Sequence, residues 1–445
     1  MRKKISEEGP ILPVSFIQCG DIHLGYNQYN NRERFNDFHR AFSQIVDYAI
    51  EMEVDFFLIT GDFFNKRSIN PLTLSQAIFE LGRLKEKEIQ VIAIEGNHDK
   101  APYGEVQSWM QFLSQHGYFY LLSSSFDDGC LILKPYQEKQ GGNLIAFPGI
   151  RFVGLGYQGS MTARRLAELD AQLEKTEEPT VLLLHSAVDM LMHLGGIKYQ
   201  DIVALKEKID YVAMGHIHHR YEFEGWIYNP GCPESWDLGE GAKEKGFYHV
   251  NIDKGNKKVT YVPSIKRPVY HIAVNVSDCR DLDEVYALCD NKLEKMEEPQ
   301  GLKPLVQMVI AGSISFSPLA IDTRLLEEKI AATFNALIVE VVNNTVLKGE
   351  EWEGADNPAE INREELERDV LRKFFLSRGN LNAWIDDLVD LSKNVKELIH
   401  QEAEDQSISV LIENLAEKIV KAEKEDTEDE VVAGAESGEK GREVQ

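Results

Sequence analysis

Cysteine is scarce in this chain: five in 445 residues, at positions 19, 130, 232, 279 and 289, with no CxxC pair among them. That spacing supports neither a disulfide framework nor a thiolate zinc site, and the five read as reduced thiols. Long apolar runs are missing as well. No stretch approaches the roughly 20 apolar residues that cross a bilayer, and the first run, Ile11 to Cys19, is short and interrupted by Pro13. The expectation is a soluble, cytoplasmic protein. No G-x-x-x-x-G-K-[ST] phosphate loop occurs, so any ATP dependence must come from another chain.

Positive charge is also short, 48 Lys+Arg against 74 Asp+Glu for a net of −26. The deficit is uneven. Residues 1–270 hold 35 acidic and 29 basic side chains, whereas residues 271–445 hold 39 and 19. A near-balanced first part can meet a polyanion locally, above all where divalent cations cover its carboxylates, so the global charge does not exclude nucleic acid.

What is present is an alternation of short β-rich runs with helical periods, the pattern of an α/β core. Strands are predicted at 14–19, 55–60, 90–95, 180–184 and 211–214. Helices are predicted at 34–52, where Phe35, Phe38, Phe42, Ile45 and Val46 recur at helical steps, and at 71–87, through Leu74, Ile78, Leu81 and Leu84. A β-rich stretch follows at 226–228, 246–252 and 258–265. Near Pro268 a smaller α/β unit begins: a strand, a helix at 282–296, a strand at 305–311, a helix at 322–334 and a strand at 337–342. Residues 349–362 read as a linker and 363–420 as helical, with Leu366, Val370, Phe374, Trp384, Leu388 and Leu391 in a stripe that suits a partner surface. The segment 421–445, with nine acidic and four basic residues, is expected to be disordered.

Five of the predicted strands run into residues that carry chemistry. The first ends in Asp21-Ile22-His23, the second in Gly61-Asp62, the third in Gly96-Asn97-His98-Asp99, the fourth in His185 and the fifth in Gly215-His216-Ile217-His218. Side chains leaving the carboxyl edge of a sheet converge in one crevice. Taken singly, DxH or GD is as easily a helix cap or a turn former. All five in order supply carboxylate, imidazole and amide oxygen donors, a set that suits Mn²⁺, Fe²⁺ or similar ions rather than thiolate-seeking metals.

The order DxH, GD, GNHD, H, GHxH resembles the calcineurin-like binuclear metallophosphoesterases. DIHLGY, GHIHHR and IYNPGCPESWDLGE, followed by a small α/β unit and a helical C-terminal part, resemble within that superfamily the SbcD-type DNA repair nucleases. The resemblance implies an α/β fold, a four-layer sandwich of two sheets flanked by helices over residues 1–267, with an α/β capping domain at 268–348 and a helical partner-docking region at 363–420. It implies two divalent ions, with Mn²⁺ expected: one held by Asp21, His23, Asp62 and His218, the other by the bridging Asp62, Asn97, His185 and His216. His98 would be the catalytic histidine at the leaving oxygen, and Asp99 would orient it or cap the following turn. The implied activity is exonucleolytic and endonucleolytic cleavage of DNA, with an SbcC-like coiled-coil ABC ATPase as partner and a homodimer as assembly.

Two motifs depart from the family pattern. A histidine that commonly follows the GD motif is Asn65 here, and the PGS-x-ER loop reads Pro230-Gly231-Cys232-Pro233-Glu234-Ser235, with Cys232 for its serine and without its arginine. Asn65, Lys66 and Arg67 are the candidates for substrate phosphate contact, although a basic pair such as Lys66-Arg67 at a helix start is as readily solvated; His219 and Arg220 fit a phosphate contact or a solvated loop. A phosphodiesterase or phosphatase for small esters would share every ligand, and a non-catalytic DNA- or partner-binding scaffold would have no use for the full set with His98.

Overall fold

The computed structural model describes residues 13–348 except 139, 189–195, 254–255 and 297–300, and beyond them 368, 370–372, 375, 384–400, 411–413, 415, 416 and 418. Two compact units are present, Met1–Lys348 and Gly349–Gln445.

The first unit is built on two six-stranded sheets. One runs, edge to edge, Asn256–Pro263, Gly246–Asp253, Val14–Cys19, Phe56–Ile59, Gln90–Ala93 and Tyr120–Leu121; the other runs Tyr221–Phe223, Ile227–Asn229, Tyr211–Gly215, Thr180–His185, Ile150–Leu155 and Leu144–Phe147. The central strands are parallel, with Phe16 opposite Phe56 in the first sheet and Val212 opposite Leu182 in the second. Their side chains are mostly apolar on both faces, as suits parallel strands covered on both sides.

The two-residue period of a strand sorts those side chains into layers. Phe16, Phe56, Leu58 and Ile92 point from the first sheet onto Phe152, Val181, Leu183, Tyr211 and Ala213 of the second, forming the core between the sheets. The alternate residues Ile17, Phe57, Ile59 and Val91 face outward and are covered by Phe42, Ile45, Val46, Leu81 and Leu84. These belong to the helices Arg32–Glu51, capped by Asn31, and Pro71–Glu86, capped by Asn70 with proline at its first turn. On the far side Leu182, Leu184, Val212 and Met214 pack on Leu166, Leu169 and Ile202 of two further helices, Thr162–Asp170 and Tyr199–Val203. Helix, sheet, sheet and helix give the four layers that the sequence predicts. Each large apolar side chain wholly removed from water there contributes about 1.5–3 kcal/mol. A buried Gln18 ties the sheets, donating to the carbonyls of Met214 and Tyr228 and accepting from Tyr211.

Within residues 13–348 the predicted strands and helices fall within a few residues of those observed. The region between Gln90–Ala93 and Thr180–His185 holds elements that hydrophobic period does not announce: the helices Trp109–Gln115 and Thr162–Asp170 and five strands. Most of those strands have two to four residues, too short for a period to show.

A third, parallel sheet of Val269–Asn275, Leu305–Ile314 and Ile338–Leu347 has its own core, with Val274, Val306, Met308 and Ile310 against Val285 and Cys289 of the helix Leu282–Glu294 and Ile330 and Phe334 of the helix Thr323–Phe334. In the second unit the helix Ile385–His400 carries ion pairs from Asp386 to Arg372 and from Asp390 to Arg368. The predicted linker 349–362, the acidic tail 421–445 and Phe374 lie outside the described residues. No helix among the described residues is long and apolar enough to cross a membrane.

Candidate metal centre

The strands that carry the predicted ligands end at one edge of the sandwich, and the loops leaving them are knitted together. The N–H of Asp21 donates to the carbonyl of Gly61 and that of His23 to the carbonyl of Asp62, each at 3.0 Å. Across the sheets, both oxygens of Asp21 accept from the N–H of His216. This closeness has a conformational cost. Asp21, His23 and Asp62 sit at φ 50° and His216 at φ 100°, a region that L side chains adopt only when their surroundings force it, at about 1–3 kcal/mol each. Glycine is required at two neighbouring places: a Cβ on Gly61 would lie 2.3 Å from His185 Nδ1, and one on Gly96 2.1 Å from Asp62 Oδ1.

Three overlapping groups of donors result, each with its ligand atoms within 4.8 Å of one another: Asp21, His23 and His218; His23, Asp62 and His98; Asp62, His185 and His216. The Nε2 atoms of His23 and His218 face each other at 3.2 Å. His185 is fixed by its Nδ1 on the carbonyl of Thr60 at 2.8 Å, which directs Nε2 to Asp62 Oδ2 at 3.4 Å and Asn97 Oδ1 at 3.2 Å.

Burial and mutual charge set the protonation. Burial opposes the charge of Asp62, but the His185 cation beside it holds that carboxyl well below the usual range. Burial likewise works against the His185 cation, yet Asp62 raises the imidazole to about 9. Burial lowers His23, and burial together with the His185 charge lowers His216 to about 4. The centre therefore offers an ionised Asp62 and neutral His23 and His216, the forms that bind metal, while His185 holds a proton that a bound metal displaces. His23 Nδ1 is buried with no hydrogen-bond partner. An all-oxygen-and-nitrogen donor set of this kind, with one carboxylate shared between groups, fits two divalent cations.

All eight residues Asp21, His23, Asp62, Asn97, His98, His185, His216 and His218 thus meet at one edge. His98 sends its backbone N–H to Asp62 Oδ1 at 2.9 Å, and its Nδ1 lies 2.8 Å from the carbonyl of Asn65. That carbonyl can only accept, so Nδ1 carries the proton and Nε2 is left as the basic nitrogen. Asp99 does not orient the imidazole. Its two oxygens accept from the N–H groups of Phe63, Phe64 and Gly96, so it clamps the two ligand loops, and burial with the charge of Asp62 raises it to about 7. Asn65 is buried, with its side-chain Oδ1 unpartnered, whereas Lys66 and Arg67 are exposed on the loop that follows. Arg220 lies over the ring of Tyr261 at 4.2 Å and pairs with Glu244. His219 is half-buried.

One contributor carries no ligand-like signal. Trp236 packs on His23 at 4.2 Å and His218 at 4.9 Å between ring centroids, approaches His98 at 6.0 Å, and stacks on Tyr26 at 4.2 Å. The segment that holds it is anchored by Arg34, which donates to the carbonyl of Ser235 and to Glu234. A guanidinium from the helix Arg32–Glu51 thus serves the loop whose own arginine is replaced by Ser235.

The fold is that of a metallophosphoesterase, and residues 14–220, just under half of the chain, match the family model described as calcineurin-like phosphoesterase. The chain carries a calcineurin-like metallophosphoesterase domain, a fold that implies divalent metals. It is similar to the DNA double-strand break repair protein Mre11 of Archaeoglobus fulgidus, 29% identical over 52% of each chain. The same-named proteins of Saccharolobus solfataricus and Sulfurisphaera tokodaii are 25% and 29% identical over 67% of this chain and 75% and 74% of theirs. This chain therefore spans about half the length of the first of these relatives and about three quarters of the other two. Among solved structures, a dimetal phosphatase from Danio rerio is similar at 12% identity and a TM-score of 0.38, covering 58% of this chain and 98% of that one.

Proposed function

We propose that this chain is a metal-dependent DNA exonuclease and endonuclease, the nuclease subunit of an SbcCD-like repair complex. The observation that carries the hydrolytic reading is the convergence of seven candidate metal-ligand side chains around His98, an imidazole whose ring is held by a carbonyl and not needed as a ligand; the DNA substrate rests on the likeness to the Mre11 proteins. Two divalent cations, Mn²⁺ in this reading, neutralise the non-bridging oxygens of a phosphodiester and make water easier to deprotonate when they are bound. Asp21, His23, Asp62 and His218 hold one, and Asp62, Asn97, His185 and His216 the other. His98 stabilises or protonates the leaving oxygen: with Nδ1–H on the Asn65 carbonyl fixing the ring plane, the cationic form of the ring presents its Nε2–H to that oxygen, a positioned acid worth about 10²–10⁴ in rate. The Asn65 amide, Lys66 and Arg67 meet the substrate backbone.

Residues 1–267 form the catalytic domain and 268–348 the cap. The helical region 363–420 docks on an SbcC-like coiled-coil ABC ATPase, the chain pairs with a second copy, and it works in the cytoplasm. The test is cleavage of end-labelled duplex DNA with Mn²⁺, beside a small nucleotide ester, with and without the copurifying ATPase. Manganese-dependent shortening of the duplex is expected. Hydrolysis of the ester alone would instead support a small-molecule phosphodiesterase.

A further inference from the structure

Beside the metal centre lies a fourth group of donors that the proposed chemistry does not use. His218, Cys232 and Glu240 bring a ring nitrogen, a thiol and a carboxylate oxygen within 4.8 Å of one another, which is the density of a further cation site. The chain fills it itself. Lys245 Nζ lies 2.7 Å from Glu240 Oε2, 3.0 Å from Cys232 Sγ and 2.8 Å from the carbonyl of His218, and its side chain is wholly buried. A metal ion there would have to displace an internal ammonium and leave it buried without a counter-ion. Burial also keeps the Cys232 thiol protonated, at about 12.

With the ammonium on Oε2, the other carboxylate oxygen of Glu240 is free to face the metal centre. Oε1 is 3.6 Å from His218 Nδ1, a charge contact longer than a hydrogen bond, while His218 turns Nε2 toward His23. The carboxylate is held from its own segment too: Oε2 accepts from the N–H of Trp236, and Asp237 caps the N–H of Glu240. The other imidazoles are braced differently. His185 and His98 have neutral carbonyls on Nδ1, and His23 Nδ1 has no partner. A carboxylate behind a ligating histidine fixes its tautomer and makes it a better donor.

We propose that Glu240, held by Lys245, is a positioning residue for His218, so that the metal position of Asp21, His23 and His218 depends on it and the position of His185 and His216 does not. The proposal rests on the reading that the centre holds two divalent cations.

Calorimetric titration of the full chain with Mn²⁺, followed in parallel by tryptophan fluorescence, tests it. Glu240→Gln keeps the shape and removes the charge; one of two binding phases should weaken about 10–100-fold and the other stay unchanged. Quenching of Trp236, whose ring lies on His23 and His218, should move with the weakened phase and disappear in Trp236→Phe. Because Glu240→Gln also orphans a buried ammonium, the double variant Glu240→Gln/Lys245→Met is required. It removes both charges together, which a fold tolerates far better than removing one, and it should show the same selective weakening. Recovery of wild-type affinity in the double variant would assign the effect to the orphaned lysine and overturn the proposal. So would equal weakening of both phases, or no weakening. A wild-type chain that binds fewer than two ions would sink the underlying two-metal reading instead.

Discussion

Asp37 should be one of the most costly single substitutions outside the metal centre. Its side chain is wholly buried in the helix Arg32–Glu51, as is that of Arg34, which donates to it at 2.5 Å; Arg267, 2% exposed, donates to both of its oxygens, with Nη2 at 2.8 Å from Oδ1. Glu234 is the second anion, 3.2 Å from Arg34 and bonded to the N–H of Arg267. Arg40, partly exposed, also pairs with Asp37, and Glu33 at the surface with Arg267, so three cations and three anions balance around a buried centre of Arg34, Arg267, Asp37 and Glu234. Asp37→Asn leaves two buried guanidinium groups facing one carboxylate and turns an amide N–H₂ toward one of them. Removing one partner of a buried pair costs about 3–5 kcal/mol, and no solvent reaches these groups to screen the loss. With a urea slope of about 1–3 kcal/mol per molar, rising with size, the midpoint of the first unfolding transition should fall by roughly 1 M or more. Equilibrium urea denaturation followed by circular dichroism reads it. The loss should persist at high salt, because the pair is shielded from mobile ions. A second consequence follows from the connections: Arg34 holds the Ser235 carbonyl next to Trp236, and Arg267 holds the Lys303 carbonyl beside the third sheet. Metal-dependent cleavage should therefore decline at denaturant concentrations where the variant is still folded. A stability loss under about 1 kcal/mol, or one abolished by salt, would refute the reasoning and place the network with surface ion pairs.

Asp62→Ala should remove both ions and His98→Ala neither, while His98→Ala lowers cleavage about 10²–10⁴-fold; elemental analysis beside a nuclease assay separates the two, and loss of metal from the His98 variant would reassign that residue. His185 is held near 9 by Asp62, above its ordinary value of about 6.5. Its proton is therefore present in the folded apo chain below pH 9 and must leave when metal binds, so Mn²⁺ affinity should rise as pH goes from 6 to 9. Calorimetry in buffers of different ionisation heat should detect about one proton released near pH 7.5; no release would contradict the Asp62–His185 pairing. Leu371→Asp together with Phe374→Asp should abolish copurification of the ATPase and leave metal binding and basal manganese-dependent cleavage near wild type; unchanged association would place these residues in the chain's own packing.

The candidate donors were legible in the sequence because each motif follows a short apolar strand, and a strand's direction carries its last side chains to one edge whatever the rest of the chain does. That rule brings the motifs of Asp21, Asp62, Asn97, His185 and His216 together; which of their residues would hold metal is what the resemblance implies. The covering helices were legible for the same local reason, as the 3.6-residue period of Phe35, Phe38, Phe42 and Ile45 is written in consecutive residues. The tertiary structure decided whatever rests on contacts between distant segments. It placed the two sheets face to face through Phe16, Phe152 and Tyr211, so that five loops share one crevice. It gave His98 the Asn65 carbonyl and assigned Asp99 to the backbone of Phe63, Phe64 and Gly96, a choice that adjacency to His98 cannot reveal. It also laid Trp236 on His23 and Glu240 behind His218, where an indole and a carboxylate some two hundred residues from the first ligand loop acquire their roles only once the chain has closed on itself.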